Sequence, residues 1–73
     1  MSENYWDKQQ VKMFVGDVRK QVGNGWSYLG RPVQEALIAA RAFQVCRSQA
    51  SETVPVEAMD ELYDRMMTEA GLS

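Results

Sequence analysis

The sequence predicts an all-α fold: a small three-helix bundle in which the middle helix is the most buried, with dimerisation available to complete it. Three observations carry this. Apolar residues recur at helical spacing in three separate stretches. Each stretch is bounded by residues that start or stop helices. The middle stretch is apolar over so wide an arc that it needs neighbours on at least two sides. The spacing places helices at about 7–22, 32–48 and 55–70, all within one domain spanning 1–73.

Two start signals compete for the first helix. Asp7 with Gln10 resembles a capping box, and Trp6 with Val11 fits the hydrophobic staple on either side of it. Asn4 as the cap, with Asp7 three residues on, is the alternative. Val11, Phe14, Val15, Val18 and Val22 then fall within about 100° of arc, the pattern of a one-sided amphipathic helix. Gly23 is placed to end it, because glycine takes the left-handed conformation at low cost. Met13, Gly16 and, if the helix starts early, Trp6 lie off the core stripe. They are either a surface methionine, a tolerated glycine and a stapled tryptophan, or a second contact face on which Gly16 admits another backbone.

Residues 23–32, GNGWSYLGRP, read as a loop, turn-prone through its glycines and Asn24. Trp26, Tyr28 and Leu29 give it much apolar surface. These side chains either fold back to plug the end of the core or form an exposed aromatic anchor for a partner. A hairpin at Asn24-Gly25 is disfavoured because its flanks do not alternate.

Pro32 suits the first turn of the middle helix, where its missing N–H is no loss. Ten of the fourteen residues from Val33 to Cys46 are apolar, four of them alanine. They sweep roughly 220°, leaving a narrow wet stripe of Gln34, Arg41 and Ser48. The alanines permit close helix approach, Ile38, Phe43 and Val45 supply volume, and Cys46 reads as a buried small hydrophobe. With the first and third helices each offering one stripe, this arc reads as the core of the fold. In the third helix Val54 suits the cap before Pro55. Met59, Leu62, Tyr63, Met66 and Ala70 form the core face, with Val56 and Met67 at its edge. Glu57, Asp60 and Glu61 favour the N-terminal turns, Glu61 and Arg65 form an i,i+4 pair, and Gly71 closes the helix.

The inventory argues against an enzyme. There is no histidine and only one cysteine, so Ser-His-Asp and Cys-His catalysis and Cys/His zinc sites are excluded. No phosphate-cradling glycine motif is present, and no cofactor is expected. Glu57, Asp60, Glu61 and Asp64 share one side of the third helix and read as a solvated face rather than a metal site. Residues 1–50 carry seven Lys/Arg against four Asp/Glu, and 51–73 carry one against six. The acidic third helix would be repelled by phosphates, which disfavours nucleic acid and a helix-turn-helix regulator. No apolar run is long enough to span a bilayer and the N-terminus lacks a secretory pattern, so a soluble, cytoplasmic protein is expected. The functional expectation is a non-catalytic module that binds a protein partner, with Trp6, Met13, Gly16, Trp26, Tyr28 and Leu29 as candidate contacts. A homodimer is expected as well, burying residual apolar surface from the middle helix, the aromatic loop or both, because the middle helix is apolar over a wide arc for two short partners. A DNA-binding regulator and a self-assembling structural subunit are the rival roles. By size and plainness the chain is analogous to phage and mobile-element inhibitors and accessory factors.

Overall fold

Asp7 stands in extended backbone, and its carboxylate accepts the Gln10 backbone N–H at 2.8 Å while the Gln10 side-chain oxygen accepts the Asp7 backbone N–H at 3.0 Å. This reciprocal box satisfies two donors that a helix start leaves open. It sets the first helix, α1, at Lys8–Val22 in the computed structural model, which describes residues 5–48 and 55–72. The alternative start at Asn4 lies outside the described residues, as does the cap position expected at Val54. The bundle continues with α2, Arg31–Ser48, and α3, Val56–Glu69.

Three boundaries are set by backbone chemistry. Gly23, at φ 73°, ends α1 and donates its N–H to the Arg19 carbonyl. Residues expected to form a loop then wind into a 3-10 helix, Gly23–Tyr28. Pro55 serves as the extended N-cap of α3 rather than as its first helical residue. At the far end Leu72 N–H donates to Met67 O at 2.8 Å and Gly71 N–H to Thr68 O at 3.0 Å, with Gly71 at φ 78°. That is a Schellman closure, and its usual hydrophobic pair is present in the buried Met67 and Leu72.

The three helices share one core, in which Ile38, Leu62 and Met66 are fully enclosed. Burial within it is distributed differently from the expectation. Each helix buries four residues: Val11, Phe14, Val15 and Val18 on α1; Ile38, Ala42, Val45 and Cys46 on α2; Ala58, Leu62, Met66 and Met67 on α3. Burial is thus not concentrated on the middle helix. Val33, Ala36, Ala39, Ala40 and Phe43 of α2 are exposed, so half of the wide arc read as core lies outside it. The narrow stripe read as wet turns partly inward instead. Gln34 donates to the Trp26 carbonyl at 2.7 Å, and Arg41 pairs with Asp17 of α1 at 2.9 Å. Two neighbours cover only part of a helix surface, and these polar contacts decide which part.

Trp6 joins the start of the chain to α3. Its indole N–H donates to the Ala58 carbonyl at 2.8 Å, its backbone N–H donates to Glu61 Oε2 at 3.3 Å, and its carbonyl accepts from Arg65. The expected Glu61–Arg65 pair is present at 3.4 Å and brackets the Trp6 peptide. The indole packs edge-on against Phe14, with centroids 6.0 Å apart. Ala58, outside the expected stripe, is buried because a small residue is what lets the indole reach the backbone. At the other end Arg31 donates to the Leu72 carbonyl, linking the first turn of α2 to the end of α3.

Replacing Trp6 with Phe keeps a ring but removes the buried donor. It is expected to cost about 1–2 kcal/mol, read as a fall of roughly 4–16 °C in the thermal midpoint of a domain this size. Two glycines should respond in opposite directions. Gly16 is helical with nothing within 4 Å of an added Cβ, whereas Gly71 has positive φ. Gly16→Ala should stabilise by about 0.5–1 kcal/mol and Gly71→Ala destabilise by about 1 kcal/mol, both measurable by chemical denaturation.

Candidate interaction surface

On α1 the valines and Phe14 take the inner side, and the residues between them must face out. Lys12, Met13, Gly16 and Lys20 share an arc of about 100°, with Arg19 beside it. All five are exposed, Met13 to 56%. Gly16 bares the helix backbone between Met13 and Lys20, since nothing stands within 4 Å of where its Cβ would be. Asp17, the nearest acid, is engaged by Arg41. Lys8, Lys12, Arg19 and Lys20 have no ion-pair partner among the described residues. The arc therefore carries concentrated positive charge around one exposed thioether.

Where α1 gives way to the 3-10 helix, the same arc runs into a cleft of about 500 Å³. Gly16, Arg19 and Lys20 form one wall and Asn24, Trp26 and Ser27 the other. Its cations, amide and hydroxyl offer donors, and no acid lines it. The concavity exists because the chain reverses at Gly23 and Trp26 drops into the core, holding the turn against α1.

The candidate contacts named from the sequence divide. Trp6, only 4% exposed, and Trp26 are buried, so neither presents an anchor: each is drawn inward by a polar group at its site, the Ala58 carbonyl for one and the Gln34 amide on the Trp26 carbonyl for the other. Leu29 is half-buried against the core. Met13, Gly16 and Tyr28 are at the surface, Tyr28 to 89%, and the structure brings Gly16 but neither Met13 nor Tyr28 into the cleft. Two sets were not named residue by residue from the sequence. Arg19, Lys20, Asn24 and Ser27 converge only because the loop is helical. Val33, Ala36, Ala40 and Phe43 face out, a possibility signalled in the sequence by an apolar arc wider than two neighbours can cover.

The opposite charge is gathered elsewhere. Glu57, Asp60 and Asp64 are exposed within about 60° of arc on α3, while Glu61 turns toward Trp6. No group of three or more metal-ligating side chains is close enough to hold an ion among the described residues, and none of their helices is long and apolar enough to cross a membrane. Comparison with protein-family models, curated proteins and solved structures returns no match for the chain.

Cys46 is buried in the core, and desolvation pushes its thiol pKa upward. The thiolate is the reactive form, so burial and a raised pKa act in the same direction. At neutral pH the native thiol should react with an aromatic disulfide reagent more than tenfold slower than in denaturant. Equal rates in the two states would show that the thiol is not shielded as described.

Proposed function

We propose that the chain is a non-catalytic protein-interaction module, an inhibitor or accessory factor that occupies an acidic surface on a partner through the outer face of α1. One observation carries the reading: an exposed methionine and a bare stretch of helix backbone stand among Lys12, Arg19 and Lys20, none of them ion-paired among the described residues. Methionine conforms to irregular apolar surface, a bare glycine admits close approach, and the surrounding cations speed and orient encounter with an acidic patch. The donor-lined cleft at the end of the helix extends the surface for carboxylates. A DNA-reading role has less support, because the helix that would serve as reader presents Glu57, Asp60 and Asp64 outward.

The test is affinity capture under nuclease treatment, comparing wild type with a Met13→Glu, Lys20→Glu variant and with an Asp60→Asn, Asp64→Asn control. Wild type and control should retain the same protein, released as salt is raised, and the α1 variant should lose at least tenfold of it. Equal retention by the α1 variant contradicts the assignment of the face. Loss of all bound material on nuclease treatment would favour nucleic acid instead.

A further inference from the structure

Val33, Ala36, Ala40, Phe43 and Arg47 follow one another at alternating spacings of three and four residues, and all five are exposed. That is the a/d repeat of a two-helix seam, here on the side of α2 opposite Ile38. Arg47 is the one charged residue on this outward half of the helix. The large members are far from shielded: Val33 is 48% and Phe43 53% exposed.

The strip does not stop at the edge of α2. Gln34 and Arg41 fix one flank of α2 against the 3-10 helix and α1, so the flank with Ala39 and Cys46 lies toward α3. Ala58, Glu61 and Arg65 fix one flank of α3 against Trp6, so Val56, Met59 and Tyr63 lie toward α2. Exposed Val56 and half-buried Met59 and Tyr63 therefore border the strip.

We propose that this face seats the same face of a second copy, with the two α2 helices antiparallel about an axis between Ala36 and Ala40. The order of sizes along the seam, large, small, small, large, is self-complementary in that arrangement. Phe43 meets Val33 of the other copy, and Ala36 meets Ala40, which is the reciprocity a two-fold interface demands. The alanine pairs at the centre allow close helix approach. Charge selects the direction. A parallel pair would set the two Arg47 side chains side by side and align the helix dipoles, whereas the antiparallel pair separates the arginines to opposite ends and opposes the dipoles. Arg47 already lies 5.7 Å over the Phe43 ring, and the seam carries it toward exposed Tyr28 of the second copy, a second aromatic face for the cation.

The extent of the surface sets the strength. From Val33 to Arg47 the strip is about 22 Å long and 10 Å wide, and alone it falls short of the ~800 Å² per partner of stable complexes. The α3 border and Tyr28 widen it, which places the dimer among weak, concentration-dependent ones with micromolar dissociation.

Sedimentation equilibrium from about 5 to about 500 µM tests the proposal. Wild type should pass from the 8.3 kDa chain to twice that mass, while Ala40→Glu, an exposed helical site, should stay monomeric with unchanged circular dichroism and thermal midpoint. Met13→Glu, Lys20→Glu should dimerise as wild type does, separating this face from the one on α1. Mixed Val33→Cys and Phe43→Cys chains should cross-link to each other on oxidation, and Val33→Cys chains alone should not. A wild type that remains monomeric throughout, an Ala40→Glu variant that still associates, or cross-linking of Val33→Cys chains to one another would each overturn it.

Discussion

The fold depends on one peptide held from three directions. Trp6 commits its indole N–H, its backbone N–H and its carbonyl to α3, across more than fifty residues of chain. In so small a domain the core alone gives marginal stability, and directional contacts of this kind decide which of several similar helix packings is reached. The clamp sets the rotation of α3 by choosing Ala58, and it sets the start of α1 by placing Trp6 one residue before the Asp7 cap. Once α1 and α3 are so joined, α2 has one open groove to fill, and polar contacts with its neighbours choose the four positions it turns inward.

Much of this was readable in the residues, because much of it is local. The Asp7–Gln10 box, the glycine stops at 23 and 71 and the Glu61–Arg65 pair need only neighbours within a turn, and they lie where spacing puts them. The valine stripe of α1 is equally plain, since one-sided periodicity admits one orientation. The rotation of α2 was not legible. Ten apolar residues in fourteen make many faces equally fit for burial, so the choice passes to polar partners distant in sequence: Gln34 answers the Trp26 carbonyl and Arg41 answers Asp17. Composition ranks tryptophan as an interface anchor, yet a single carbonyl at the right distance draws Trp6 inward. The cleft beside α1 was hidden for a related reason, since glycines that suggest a loose loop also tolerate the tight 3-10 winding that assembles it.

The charge pattern gives the surface its organisation. Three of the described cations, Arg31, Arg41 and Arg65, are spent on ion pairs that join or brace helices, while those along α1 are not. The carboxylates of α3 point outward within a narrow arc. The apolar half of α2, with one arginine at its end, is a third kind of surface. With only Arg47 charged on it, this face should respond weakly to salt, whereas the α1 face should respond steeply. Contacts through the two can therefore be separated by ionic strength alone.

The burial of both tryptophans has a spectroscopic consequence. Trp6 lies at the α3 side of the start of α1, and Trp26 lies beyond its other end, roughly 22 Å of helix away. One indole donates to a peptide carbonyl and sits edge-on to Phe14, while the other plugs the turn that abuts α2. The chain thus contains two tryptophans in chemically different buried sites, and excitation at the red edge of the indole band passes over its three tyrosines. Emission from single-tryptophan variants can report the two ends of the bundle independently. Whether they redden together or in sequence during denaturation would reveal if 73 residues melt as one cooperative unit.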